Sequence, residues 1–282
     1  MKNILKIMLM MITIFTIAGS AVYAAEIPVS DQDQLITSSD WTEISNLQDE
    51  MKKEEPDATI DYDKALKVYV DCNLIKLQTA DTKKLTSALE SANYVWVIPF
   101  KMEKTYGMFT VAKGLPLSEE AKSVLTKAEQ EEVKNHAGKW MITETAEHTV
   151  EPYYDILLEK REALSDCTRV VLVGSQPGMR QPVALGMDDE TARIWISLGY
   201  QYPVMEKIPE TQNVESGVYS FDSVAEISDT YIEDSEVSTG AGVQSRSSMK
   251  YVAGIGIIVI GSILILSVLK KKKLEQSGDM SR

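Results

Sequence analysis

Hydrophobic and polar residues alternate with two different periods along the 282-residue chain, between two uncharged runs near its ends, Ile7–Ala18 and Tyr251–Leu269. After Ser39 and Asp40, both suited to an N-cap, Trp41, Ile44, Leu47 and Met51 recur at helical spacing up to Pro56. From Lys64 the period becomes two. Leu66, Val68, Val70, Cys72 and Leu74 alternate with Lys67, Tyr69, Asp71 and Asn73, which predicts a strand with one buried face and Cys72 on that face. A helix over 83–92 follows, capped from Thr79–Thr82, with Leu85 and Leu89 one turn apart. Tyr94–Phe100 is apolar on both parities and predicts a strand covered on both sides, with Pro99 placing its second half near an edge or bulge.

The remaining pattern gives a returning strand over 105–112 and a charged helix from Ser118 to Gly138 with a weak stripe of Ala121, Val124, Leu125 and Ala128. Then come a strand over 139–150, a helix over 152–165 with Pro152 in its first turn, and a buried strand over 169–174. Gly174–Gly178 reads as a turn, and 181–187 with 193–198 as a hairpin joined by 188–191. A helix followed by three strands thus occurs twice, without residue-level similarity between the two copies. The fold class is α+β, a mostly antiparallel sheet with helices on one face, plus one C-terminal transmembrane helix.

The ends divide the chain further. Residues 1–24 read as a signal peptide, with Lys2 and Lys6 before the apolar run and Val22-Tyr23-Ala24 as the cleavage motif. Residues 25–60 are an N-terminal segment with one short amphipathic helix, and 61–206 an extracellular α+β domain. Residues 207–250 read as an acidic disordered stalk, with seven acids and no base between Glu215 and Glu236. The 19 uncharged residues 251–269 suffice to cross a bilayer core, and Lys270–Lys273 begin a basic cytoplasmic tail, 270–282. By the positive-inside rule the long middle lies outside and the C-terminus in the cytoplasm.

Charge narrows the partners. The whole chain carries −13; with +2 in residues 1–24 and +3 in residues 270–282, residues 25–269 carry −18. Such a surface is a poor match for a polyanion, so nucleic acid is not among the expected partners. The partners expected are the membrane, through its single span, and a protein or envelope component.

Candidate chemistry is sparse. His136 and His148 stand 12 apart with no metal-ligand spacing around them, and no phosphate-binding glycine loop is present. Gly174-Ser175 lacks the spacing of a nucleophile elbow. Asp61, Asp63 and Asp71, and Asp188, Asp189 and Glu190, are hard ligands for calcium, but as a pattern they fit solvated turns better. No catalytic residue, cofactor or metal is assigned. Met179 and Arg180, at a hairpin tip, and Tyr200 and Tyr202, after the last strand, form the candidate ligand-binding patch. Cys72 and Cys167 are compatible with a disulfide or with two buried thiols.

In layout (signal peptide, α+β ectodomain, acidic stalk, membrane helix, lysine-rich tail) the chain resembles the uncharacterised single-pass surface proteins common in Gram-positive bacteria. The resemblance implies a cell-surface location and no specific activity. Glu236-Val237-Ser238-Thr239-Gly240 is similar to a sortase signal that lacks its Leu and Pro. The functional expectation is a membrane-anchored, non-enzymatic binding or accessory module. The alternatives are a surface hydrolase of unrecognised type and a sensor subunit signalling through a partner.

Overall fold

The computed structural model describes residues 27–228, apart from 149, 175, 177–178, 180, 201, 203 and 210–212. The expected signal peptide, membrane span and tail lie outside the described residues. No helix among the described residues is long and apolar enough to cross a membrane.

After two 3-10 turns at Asp31–Asp33 and Leu35–Thr37 come α1 (Trp41–Ile44) and α2 (Gln48–Glu54), joined by a third at Ser45–Leu47. Next are β1 (Thr59–Ile60), β2 (Leu66–Tyr69), α3 (Thr82–Glu90), β3 (Tyr94–Lys101) and β4 (Tyr106–Lys113). Then come α4 (Glu119–Val124), α5 (Lys127–His136), β5 (Trp140–His148) and α6 (Tyr153–Glu159). The last are β6 (Arg169–Val173), β7 (Val183–Met187), β8 (Ala192–Ser197), β9 (Asn213–Glu215), β10 (Val218–Ser220) and a helix α7 over 221–228.

The strands form one sheet in the order β5-β4-β3-β2-β6-β7-β8-β10-β9, with β1 against β3. Pairing is antiparallel throughout the named strands except between β2 and β6. The fold is therefore α+β with a mostly antiparallel sheet. The two helix-then-three-strands copies become two meanders, β3-β4-β5 and β6-β7-β8, on either side of β2.

Helices cover both faces of the sheet, not one. Leu66, Val68, Val170 and Leu172 point to a layer made by α6 (Tyr153, Leu157) and by Ile27 and Val29. The opposite parity, Tyr69, Val171 and Val173, meets Leu85 and Leu89 of α3 and Phe221 and Val224 of α7. Farther along that second face, Trp96, Ile98 and Phe100 pack with Leu35, Ile44 and Met51. The cause is legible in β6 and β7. Val170–Val173 and Val183–Met187 are buried on both parities, so each face needs its own cover.

Two expected boundaries move for the same reason. Leu35, Ile44 and Met51 are fully buried with Trp96, so the short amphipathic helix packs on the domain and the boundary expected at residue 60 moves to include residues 27–60. Residues 213–228 form β9, β10 and α7, with Val218, Phe221 and Val224 buried, so the expected stalk does not begin at 207. A few apolar residues at the right spacing suffice when a formed sheet is already there to receive them.

Local differences have local causes. β2 ends at Tyr69, and Cys72 packs on the α3 side while Val70 packs on the α6 side, so the long alternation is not one strand. Pro99 is in the interior of the sheet. Its carbonyl accepts from Asp61 N at 2.9 Å, and its missing N–H faces the 3-10 turn Tyr62–Lys64 that interrupts β1 and β2, where no ladder bond is lost. The single helix expected over 118–138 is two, because Thr126 and Glu129 form a capping box that starts α5 afresh.

Candidate functional site

β2 and β6 are parallel but stay together only briefly, with Val68 opposite Leu172 and Tyr69 opposite Val173. Toward their N-terminal ends another piece of chain lies against each. Val29 bridges Val170 in parallel and Gln34 bridges Leu66 in antiparallel sense. Val170 N donates to Pro28 O at 2.7 Å and Leu35 N donates to Ala65 O at 3.1 Å. Residues 27–35 thus fill a wedge between two parallel strands. Two short 3-10 turns fold this segment back on itself, and they bring Asp33 to the inside.

Asp33 is 2% exposed, an unusual place for a carboxylate. Four donors gather on it. Tyr69 OH reaches Oδ1 at 2.8 Å, and Lys67 Nζ is 3.7 Å from the same oxygen. Ser30 Oγ and an Arg169 terminal nitrogen reach Oδ2 at 2.6 and 3.0 Å. The desolvation cost of the carboxylate is offset by two cations and two hydroxyl donors. Arg169 Nε is buried and makes no hydrogen bond among the described residues, so the guanidinium uses only part of its fork.

The Lys67 ammonium lies in an aromatic enclosure, 4.5 Å from the Tyr94 ring centroid, 5.3 Å from Trp96 and 5.9 Å from Tyr69. These rings are its neighbours because register places Lys67 opposite Trp96 and Tyr69 opposite Tyr94 on one face. Burial lowers the Lys67 pKa, against the raising effect of Asp33 and Asp40. Burial raises that of Tyr69, with Asp33 adding to it, and raises that of Tyr94, with the hydrogen bond to Asp40 adding to it. Asp40, expected as a helix cap, makes no capping hydrogen bond. Its Oδ2 accepts instead from Tyr94 OH at 2.8 Å and from Trp96 Nε1 at 3.0 Å. Chemically the arrangement is a buried carboxylate, Asp33, held by cations and hydroxyls from β2, β6 and its own turn.

Of the residues expected to form a binding patch, Met179, Tyr200 and Tyr202 do not come together at the surface. Met179 and Tyr202 are buried in the cluster that contains Trp195, and Tyr202 OH donates to Pro182 O at 2.5 Å. Both fill the core under the hairpin end. Tyr200 is half-buried, edge-on to Tyr202 at 6.5 Å, and Arg180 lies outside the described residues. Gln176, within the turn read over Gly174–Gly178, is buried. It accepts from Leu74 N at 3.0 Å and donates to Cys72 O at 2.6 Å, tying together the loops that follow β2 and β6.

Cys72 and Cys167 are free thiols. They pack on opposite faces of the sheet, one beside the α3 cluster and one within the α6 cluster, which rules out the disulfide considered from sequence. Burial pushes both thiols up to about 11, away from reactivity. Three of the acids weighed for calcium have other partners. Asp188 caps its turn by accepting from Glu190 N and Thr191 N and pairs with Arg193, Asp71 holds Asn93, and Asp61 pairs with Lys64. No cluster of metal-ligating side chains occurs among the described residues. His136 ends α5 and His148 ends β5.

Sequence reasoning missed Asp33, Lys67, Tyr69, Tyr94, Trp96 and Arg169 as a group. Lys67 sits at an ordinary polar position of an alternating strand. Only the register, which sets three aromatic rings around its parity, marks it as enclosed. No family model, curated protein or solved structure matches this chain.

Proposed function

We propose that the protein is a membrane-tethered extracellular module, non-enzymatic, whose sheet domain meets a protein or envelope partner. The observation that carries this reading is the uncharged run Tyr251–Leu269 followed at once by Lys270–Lys273, which fits a stop-transfer anchor with a basic cytoplasmic side. The apolar leader, removed after Ala24, supplies the export signal. Residues 229–250 then join the domain to the span, and an acidic connection of this kind keeps the domain off an anionic surface.

A surface suited to a partner stands at one end of the sheet. Between β4 and β5, α4 and α5 form an excursion in which α5 buries none of its residues, and Val124 is 69% exposed. Its base is closed by a bridge between Gly114 and Ala137. An excursion this exposed contributes little to the core and is free to meet another molecule.

Labelling of single introduced cysteines tests the tether. In intact cells a membrane-impermeant maleimide labels Ser247→Cys, and it labels Ser277→Cys only after lysis. The opposite pattern, or recovery of the chain in the soluble fraction, overturns the reading. Photocrosslinking tests the docking surface: a probe at Val124 gives a discrete adduct in intact cells while one at the exposed Lys53 gives none, and equal adducts at both sites count against the excursion.

A further inference from the structure

We infer that the wedge between β2 and β6 is a binding site for an extended acidic peptide, and that residues 27–40 are a strap that occupies it in cis. This stands independently of the membrane tether.

The segment behaves as a ligand does in a strand-addition site. It contributes main-chain bonds to both walls, from Pro28 O to one and from Leu35 N to the other, while forming no continuous helix or strand of its own. Its apolar residues Ile27 and Val29 enter one face of the sheet and Leu35 the other, and between them Asp33 supplies the carboxylate. A second acid seven residues on, Asp40, is held by Tyr94 and Trp96 beside the same ammonium.

The walls carry what a carboxylate ligand needs without the strap. Lys67, Tyr69 and Arg169 all belong to β2 and β6, and only Ser30 comes from the segment itself. Arg169 engages Asp33 through a terminal nitrogen and leaves Nε without a partner among the described residues, whereas a carboxylate approaching side-on would take both. The site is therefore specific for an acid but not saturated by the one it holds. A competing peptide of the pattern apolar, three residues, acid would satisfy the same walls.

The test uses the full-length chain in detergent micelles and a fluorescent synthetic peptide of residues 27–40. Asp33→Ala releases the strap, and this variant binds the peptide at least tenfold tighter than the unaltered chain does. A peptide with Asn in place of its first-turn Asp33 loses that gain. Equal binding of the Asp and Asn peptides, or no gain in the variant, overturns the proposal. Because Asp33→Ala places two cations without a partner and can fail to fold, hydrogen exchange on the unaltered chain gives an independent reading. The amides of Leu35 and Val170 exchange at least tenfold faster than those of β3 and β4, and Tyr69→Phe widens the gap while leaving β3 and β4 unchanged. Exchange of Leu35 and Val170 at the rate of β3 and β4 shows a segment integral to the core and overturns the strap.

Discussion

Residues 27–40 and residues 114–137 are both polar, both built of short helical turns, and both sit beside the sheet, yet one is locked in and the other stands out. The first carries Asp33 into the interior and buries Leu35 completely. The second keeps its acids in water. Glu119 pairs with Lys122 three residues on, Glu131 pairs with Lys134 at 2.6 Å, and the Glu129 carboxylate closes a cap on Thr126 N at 2.7 Å. Charge content does not separate the two segments. What separates them is what stands opposite: Lys67, Arg169 and Tyr69 converge from two strands on one point, whereas α4 and α5 extend past the end of the β4–β5 ladder and α5 buries none of its residues.

The energetics follow from that geometry. A charged group held by several fixed partners in the interior matters through what its loss leaves behind, while exposed pairs three residues apart contribute only a few tenths of a kcal/mol. Asp33→Ala leaves Lys67 and Arg169 without the carboxylate that stands between them. The expected loss is about 3–5 kcal/mol of folding stability, read from urea unfolding of the purified chain in detergent. A loss under about 1 kcal/mol would mean the two cations find other partners and the cluster is not what holds the segment.

The apolar residues of the two segments give the next largest contrast. Leu35→Ala removes a fully buried side chain packed with Trp96 and Phe109, and costs about 2–5 kcal/mol. Val124→Ala removes one of similar character from the excursion and changes stability by less than about 0.5 kcal/mol. Similar costs at both positions would show that the excursion packs on the domain, and would withdraw it as a free docking surface.

Much of this arrangement is written in the periodicity. The three central strands, α3 with its Asp81 cap, and the 183–197 hairpin follow from apolar spacing and turn residues, because each is decided by contacts within a few residues of itself. The two-sided cover of the sheet was present in the unbroken apolar run of β6, but an apolar run states that both faces are buried without stating by what. The Asp33 cluster could not be read at all. It joins residues 33, 67 and 169, and nothing local in any of the three stretches differs from a solvated turn or an alternating strand. Asp40 shows the same limit from the other side. As the residue before a helix it has every mark of a cap, and its carboxylate is drawn away by Tyr94 and Trp96, more than fifty residues on. The signal missed without excuse is Thr126-Lys127-Ala128-Glu129, a capping box inside what read as one helix.

That capping box gives the finest division between the segments, since it is local where the Asp33 cluster is not. Thr126→Ala removes the side-chain acceptor for Glu129 N and the hydroxyl that donates to the Glu129 carboxylate at 2.8 Å. The cost to α5 is about 1 kcal/mol, which makes its first-turn amides exchange roughly fivefold faster. Nothing in α5 is buried, so the fraying stays local and the urea midpoint of the domain does not move. Acid pH reaches the same contact by another route. The hydrogen bonds from Thr126 N and Oγ1 hold the Glu129 carboxyl below its ordinary 4.5, so the cap is intact above 4.5 and is lost as pH falls through the depressed value. A lower protection factor for α5 below pH 4.5, corrected for the slower intrinsic exchange in acid, with β3 and β4 still protected, is the expected result. If α5 and the strands of the sheet open together under acid, the excursion is coupled to the core after all, and the contrast with the strap loses its physical basis.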